Sequence, residues 1–340
     1  MPSPLPADLP AVLLLHDGAA GNQRQVSALA GALGLPATEL PLLARRPWAW
    51  AAPRRWPGSR LAFGAAFAAL LDTPPALAFG CGRQAALATR LLRERGTRVV
   101  QVLDPRLPPR HWDLLVAPHH DGLCAANVLN LHGSLHPVDT AWLVATRAAW
   151  PLGGAAAAPR RALLVGAPTR ACRWDATSLD AALDRLREAQ SREGGTVWAT
   201  ASRRTPPELV ALLRQRLAGW GQVWAATSDG PNPYPGWLAW ADALVVTPDS
   251  ANLLSEAAAT AAPLWIIAPE QAGGRLRGLI DQLLSSGRAR PLAALLPPWP
   301  VQPWNETARL AAALATRLGL QPPEGSAAHA AAIAAAASST

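Results

Sequence analysis

The stretch ALVVTPDSANLLSEAAATAAPLWII, residues 243–267, reads as a strand, a turn, a helix and a second strand. ALVVT is a short apolar, β-branched run, as a strand buried on both faces of a parallel sheet requires. Pro248 ends it, Ser250 is a favoured helix cap, and the Ala- and Leu-rich segment behind it favours helix. LWII, 264–267, restarts the strand pattern. A strand, a helix and another strand in so short a span make a βαβ unit, which pairs its strands in parallel.

The alternation extends outward. Upstream lie QVWAAT (222–227), a helix near 207–217, TVWAT (196–200), a helix near 176–192 and RALLVG (161–166). AAWPLGGAAAAPR (148–160), rich in Ala, Gly and Pro, predicts a linker. Before it, AVLLL (11–15), PALAF (75–79), RVVQVL (98–103), DLLVA (113–117) and NVLNL (127–131) read as strands, with helices over 25–34 and from GCGRQ through Arg95. The class is α/β: two Rossmann-like, doubly wound parallel-sheet domains facing a cleft, the arrangement called GT-B. The predicted boundaries are 1–150 and 151–303, then a late helix at 304–320 and an Ala-rich, disordered tail at 321–340.

Formal net charge is +8, and all 31 basic residues are arginine. With 34 prolines and abundant alanine, this matches the coding bias of a GC-rich genome, and no nucleic-acid-binding motif accompanies it. The expected partner is an anionic small ligand or acidic surface, and not nucleic acid. Cys81, Cys124 and Cys172 form no CxxC pair, so neither a disulfide framework nor a zinc site is expected. No stretch is apolar enough to span a bilayer, and MPSPLPADLP lacks the basic start of a secretion signal; a soluble, cytoplasmic protein is predicted.

In open parallel sheets ligands sit beyond the carboxyl ends of the strands, so the loops after strands carry the candidate site. Asp249, Ser250 and Asn252 open a helix whose first N–H groups lack internal partners and suit a diphosphate. Glu256 lies about one and two-thirds turns beyond Ser250, where a carboxylate can accept both hydroxyls of a ribose. The alternative is an ordinary Asp/Ser cap with Glu256 on a solvated face. Ser202, Arg203, Arg204 and Thr205 follow another strand, where paired guanidiniums suit phosphate or carboxylate or are plain surface arginines. The loop SDGPNPYPGWLAWAD (228–242) carries Asn232 and Tyr234, placed near a nucleotide base by analogy with the architecture.

In the first half, His16, Asp17, Gly18 and Gly21 follow the first strand, in a block that ends at Gln25. Asp17, beside glycines, is the first candidate for a general base, or else it caps the next turn; His16 is a second candidate. Gly82 and Arg83 form another strand-end loop, with Arg83 open to an anionic group. Asp104 and Arg106 sit in a loop fixed by prolines. His119, His120 and Asp121 make a fourth loop, where histidine, the residue type suited to acid or base work near neutral pH, makes His120 a candidate. The HHD spacing is poor for a metal, and none is expected.

SRRTP, NPYPGWLAWADALVVTPDS and SEA stand in the order and spacing of the mitochondrial-fission ELM family, and DGAAGNQRQ, GCGR, QVLDPRLPP, DLLVAPHHDG and NVLNLHGSLH agree with it. The chain resembles that family over roughly residues 11–320. More distantly, Asp249-Ser250 ahead of Glu256-Ala257 resembles the Asp-Ser-Gly-Gly and Glu-Ala of UDP-N-acetylglucosamine 2-epimerases and GT-B glycosyltransferases. Ala251 and Asn252 replace the two glycines, and Ala262 stands before Pro263 where the family favours Gly. The resemblance implies a GT-B-like fold with an acceptor-side first domain and a nucleotide-binding second. It implies no defined reaction; the converging strand-end loops point to a nucleotide-sugar substrate, no cofactor, and a metal-independent glycosyltransferase acting on a cell-envelope or lipid-linked acceptor. Alternatives are a non-catalytic interaction protein at a membrane surface, as the plant member's role in organelle fission suggests, and a sugar-nucleotide epimerase or hydrolase.

One stretch stands apart. ARRPWAWAAPRRWPG (44–58) interleaves Trp48, Trp50 and Trp56 with Arg45, Arg46, Arg54 and Arg55. Tryptophan favours the bilayer interface and arginine attracts anionic lipid, so this stretch suits peripheral docking on the inner membrane; the alternative is Trp in the core with Arg outward.

Overall fold

The computed structural model describes residues 12–293 and 296–320. The readings of the first ten residues and of the tail at 321–340 lie outside that range. The chain forms two compact units: residues up to Pro137 together with those from Asn305, and Val138–Trp304.

Unit 1 runs β1 (Val12–His16), α1 (Ala20–Ala32), β2 (Ala37–Pro41), α2 (Trp48–Ala51), α3 (Ala65–Leu70), β3 (Leu77–Cys81), α4 (Arg83–Arg93), β4 (Arg98–Val102), β5 (Leu114–Pro118) and β6 (Val128–Leu131). Unit 2 runs α5 (Thr140–Ala149), α6 (Pro151–Ala155), β7 (Arg160–Val165), α7 (Ala176–Glu193), β8 (Thr196–Ala201), α8 (Pro207–Leu217), β9 (Gln222–Trp224), α9 (Tyr234–Trp240), β10 (Ala243–Val246), α10 (Ala251–Ala258), β11 (Leu264–Ile266), α11 (Gly274–Ser285) and β12 (Ala289–Pro291). A last helix, α12 (Glu306–Leu318), belongs to unit 1.

Each unit holds one six-stranded sheet, ordered β2-β1-β3-β4-β5-β6 and β12-β11-β10-β7-β8-β9, and every pairing is parallel. Helices cover both faces, so central strands such as β1, β3, β5 and β10 are buried along their whole length. The edge strand β2, ATELP, is mostly exposed and has no apolar run to announce it. In both sheets the chain order reverses beside the first strand, at β1/β3 and at β7/β10. Those are the points where the loops at the carboxyl ends part and leave room.

The division between units falls at Pro137/Val138, earlier than the predicted 150/151. The Ala/Gly/Pro stretch is not a linker but a seat for indoles. A Cβ at Gly153 would overlap the Trp240 ring, one at Gly154 would sit 2.7 Å from it, and one at Gly236 would sit 2.7 Å from Trp150. The Trp240 indole donates to the Trp150 carbonyl at 2.8 Å, and Arg147 Nε donates to the Ala239 carbonyl at 2.8 Å. Small side chains here serve close packing of α5 and α6 against α9.

The late helix is no separate module either. Leu310, Ala311, Leu314 and Leu318 of α12 join the core of unit 1 with Val26 and Leu29 of α1. Its start is fixed by polar bonds: Glu306 accepts from His132 N–H at 2.8 Å and from the Arg309 guanidinium at 2.7 Å, while Thr307 Oγ1 donates to the His136 carbonyl at 2.9 Å. Burial alone would raise the Glu306 carboxyl, but the Arg309 and His132 donors outweigh it and hold it below its usual range.

A depressed carboxyl stabilises the fold above its unfolded pKa, and that contribution is lost as pH falls through the folded value. Glu306→Gln is therefore expected to cost about 1–3 kcal/mol at neutral pH, with the gap to the parent narrowing below about pH 4, read from urea midpoints. Gly153→Val is expected to cost about 1–3 kcal/mol by overpacking against Trp240; a linker residue would tolerate it, so an unchanged midpoint would contradict the packing account.

Candidate functional site

Unit 2 gathers its loops at the β7/β10 reversal. Gly166, just past β7, donates its N–H to Thr247 Oγ1 at 2.8 Å and accepts from Thr205 Oγ1 at 2.7 Å. Asp249 is buried, with one carboxylate oxygen taking the Ala167 N–H at 2.8 Å and the other the Trp174 indole at 2.8 Å. A Cβ at Gly166 would overlap that carboxylate, so only glycine lets the two loops close this tightly. Asp249, expected at the ligand, ties its own loop to the one after β7, and Thr205 adds the loop after β8 through Gly166.

Ser250 caps α10, its hydroxyl accepting from Leu253 N–H at 3.3 Å, and Asn252 follows half-buried on the first turn. The other end of α10 is held by Arg288, which is 2% exposed. Its guanidinium donates to the carbonyls of Ala257, Ala258, Thr260 and Ala262 at 2.8–3.1 Å. Burial pulls this guanidinium down to about 10. A cation at the negative end of the helix also complements its dipole.

Glu256 is buried on α10 and accepts the Tyr234 hydroxyl at 2.5 Å. Asn232 in turn takes the Tyr234 N–H at 3.0 Å and sets the start of α9. The structure thus brings together Asn232, Tyr234 and Glu256, whose sequence spacing gave no sign of contact. Glu256 does not stand on a solvated face: it is buried, and one of its oxygens holds the tyrosine hydroxyl.

In the β8 loop, Ser202 Oγ and Thr205 Oγ1 lie 3.0 Å apart, and Arg204 N–H donates to Ser202 Oγ at 3.3 Å. Their work is to shape the turn. Arg203 and Arg204 are exposed, as are Arg170 and Arg173 on the loop that follows β7. Among the described residues none of these four guanidiniums has a carboxylate within ion-pair distance. Arg170 and Arg173 escaped the sequence reading, although GAPTRACRW follows a recognised strand and the rule that ligands sit past strand ends points at it.

In unit 1 most candidates are spent on their own loops. His16 is buried; Nδ1 accepts from Gly18 N–H at 3.2 Å, and Nε2 lies 3.7 Å from the Glu39 carboxylate. Glu39, from the edge strand the pattern did not reveal, also takes Ser27 Oγ at 2.8 Å and Gln23 Nε2 at 2.7 Å. Those bonds, Ser27 first, hold its carboxyl below the usual range. Asp17 accepts from Ala19 N–H at 3.1 Å and Asn22 Nδ2 at 2.9 Å, the capping role weighed against general base. Gly82 has φ +95, and a Cβ there would sit 2.7 Å from Asn22 Nδ2. The neighbouring Cys81 is buried, and burial together with the Asp17 charge pushes its thiol far up, away from nucleophilic use.

Gln25 is buried and donates to the Gly21 carbonyl at 3.4 Å. Arg83, expected at an anion, donates instead to the Ala49 carbonyl at 3.0 Å. Asp104 and Arg106 engage each other, through the Arg106 N–H at 2.7 Å and its guanidinium at 3.1 Å. His120 and Asp121 lie 3.9 Å apart, and the His119 ring stacks on His132 with centroids 5.8 Å apart. Of the three tryptophans, Trp48 turns inward and donates to the Pro57 carbonyl at 2.9 Å, while Trp50 and Trp56 face out. Among the described residues no three His, Cys, Asp or Glu side chains are grouped to hold a metal, and no helix is long and apolar enough to cross a membrane.

Comparison with known proteins fits this frame. The profile of the family described as Mitochondrial fission ELM1 matches residues 20–318. The Mitochondrial fission protein ELM1 of Arabidopsis thaliana is 28% identical over 268 residues, 70% of this chain and 62% of that protein, so the chain spans about three fifths of that relative's length. Among solved structures, the UDP-GlcNAc 2-epimerase from Methanocaldococcus jannaschii superposes with a TM-score of 0.52 at 11% identity, covering 97% of this chain and 99% of that one. The UDP-GlcNAc 2-epimerase from Neisseria meningitidis bound to UDP-GlcNAc gives 0.51 at 11% identity, with 97% and 100% covered. At such identities the likeness is one of fold: GT-B-like, doubly wound, parallel.

Arg288→Met is expected to leave buried carbonyls at the end of α10 without their donor and to cost about 2–4 kcal/mol, read from chemical denaturation. An unchanged midpoint would mean that α10 is held by other contacts.

Proposed function

The chain belongs to the mitochondrial fission ELM1 family, and from that premise we propose that it is a binding protein: unit 2 takes a phosphorylated nucleoside of the sugar-nucleotide class, and the protein acts by interaction rather than by turnover. One observation carries this. Arg170, Arg173, Arg203 and Arg204 stand exposed, without acidic partners, on the loops at the carboxyl edge of a sheet with Rossmann strand order. Exposed guanidiniums on rigid strand-end loops are built for phosphate oxygens, which they can grip two at a time. The start of α10 adds backbone N–H groups and the positive end of its dipole. The Gly166–Asp249 frame fixes both loops before any ligand arrives, which lowers the ordering cost of binding.

Interaction is preferred to catalysis because a transferase needs a base that can move a proton. Asp17 and His16 are engaged in loop-shaping bonds, and Asp104 is paired with Arg106. The remaining candidate, His120, lies beside Asp121, so each of the four is engaged within its own segment or by a neighbouring strand. A second reading, transfer or epimerisation of a sugar nucleotide, is favoured by the fold shared with UDP-GlcNAc 2-epimerases.

Calorimetry with UDP, ADP, GDP and CDP is expected to give at least one complex tighter than millimolar. Arg203→Gln with Arg204→Gln is expected to weaken it about tenfold or more. If no nucleotide binds, or the double variant binds unchanged, the site is elsewhere or absent. Incubation with labelled UDP-N-acetylglucosamine is expected to return it intact; a released or epimerised sugar would favour the second reading.

A further inference from the structure

We propose that the outward surface of residues 43–61 in unit 1 docks on an anionic phospholipid bilayer. Six large apolar side chains are exposed among the described residues, and four of them, Leu43, Trp50, Trp56 and Leu61, fall in this one stretch. Leu43 is 83% exposed and Trp50 65%, far beyond what packing against the core would leave. Apolar groups this exposed and this close in the chain mark a contact surface.

The segment is not loose, so the exposure is not fraying. Helix α4 holds its backbone at three points: Gln84 Oε1 accepts from Ala44 N–H at 2.7 Å, Arg83 donates to the Ala49 carbonyl at 3.0 Å, and Arg90 donates to the Pro53 carbonyl at 2.7 Å. Arg45 N–H, donating to the Ala62 carbonyl at 2.8 Å, ties the two ends together. Trp48, turned inward on Pro57, supports the fold beneath.

Charge selects the partner. Residues 40–71 carry five arginines and no acidic residue. Arg55 and Arg60 are paired with Glu94 and Asp72 from outside the stretch, whereas Arg45, Arg46 and Arg54 are exposed and have no carboxylate partner among the described residues. The Arg46 guanidinium lies 5.2 Å from the centre of the Trp50 ring, so cation and ring are presented together. Next to Trp56 a groove of about 450 Å³ is lined by Arg55, Arg60 and Arg95 together with Glu94, which pairs with Arg55 and leaves Arg95 as its cation without a carboxylate partner among the described residues. Indole rings that seat at the headgroup level beside arginines that meet phosphates are what an anionic bilayer surface recognises. Leucine and tryptophan without such charge would suit an apolar protein groove instead.

This deepens the interaction reading by naming the surface, but its physics rests on unit 1 alone. Vesicle binding needs no nucleotide, so either idea can fail while the other stands. The full chain is floated with vesicles of phosphatidylcholine and with vesicles of equal parts phosphatidylcholine and phosphatidylglycerol, at low and high salt. Binding is expected only to the second, and weaker at high salt. Trp50→Ala with Trp56→Ala is expected to lower the apparent affinity about tenfold or more. Each of Arg45→Gln, Arg46→Gln and Arg54→Gln is expected to lower it about fivefold, and all three about a hundredfold. Val144→Ser with Leu152→Ser, which removes exposed apolar groups of unit 2, is expected to change nothing. All seven positions are exposed, and unaltered thermal melting of each variant confirms that the fold is intact. No binding of the parent to anionic vesicles, or equal binding by the Trp double variant, overturns the proposal; so does capture of an acidic protein through these residues while vesicles stay unbound.

Discussion

The Asp249 carboxylate joins two loops that lie 82 positions apart in the chain, one after β7 and one after β10. A sheet buried on both faces has polar groups to offer only at its strand ends, and at a reversal of strand order those ends diverge. Unless something binds the diverging loops, the edge there is a set of independent segments. In unit 2 a buried carboxylate on the β10 loop takes both an N–H and an indole of the β7 loop, and glycine at 166 lets it come close. The neighbouring Thr205 and Thr247 hydroxyls complete the frame. Everything claimed for the arginines around it depends on that rigidity, because an ordered cation binds a phosphate at lower cost than a mobile one.

The division of labour between charged and small polar residues follows. Carboxylates and hydroxyls in both units turn inward: Asp17 to Ala19 and Asn22, Asp104 to Arg106 and Ser250 to Leu253 within their own segments, and Glu256 of α10 to Tyr234 of α9. Short polar side chains at strand ends compete for nearby backbone donors and are satisfied locally. Long arginines reach past the loop into solvent. At the edge of unit 2 this leaves Arg170, Arg173, Arg203 and Arg204 exposed, the basis of the anionic ligand proposed for it.

Much of the architecture was legible because parallel strands buried on both faces print continuous apolar runs; β1, β3, β4, β5, β7, β8 and β10 all fall on runs recognised as strands. The edge strands β2 and β12 were silent, since ATELP and ARP have little apolar surface to bury. The unit boundary differs from the predicted one for another reason: glycine and alanine at 153–158 look like a flexible connection until the Trp240 indole is seen to need the space at Gly153 and Gly154. The return of α12 to unit 1 is a long-range pairing of two amphipathic faces, which local pattern cannot encode. At the site, residue types at strand ends were readable, but partners were not. Tyr234 and Glu256 were both singled out, yet only the fold brings one against the other.

Amide hydrogen exchange with and without UDP tests the central claim most directly, since it reports on each loop separately. Binding at the arginine edge predicts slower exchange over residues 166–174, 202–205 and the first turn of α10 when UDP is present, with unit 1 unchanged. Protection confined to other segments, or none at saturating nucleotide, would contradict it.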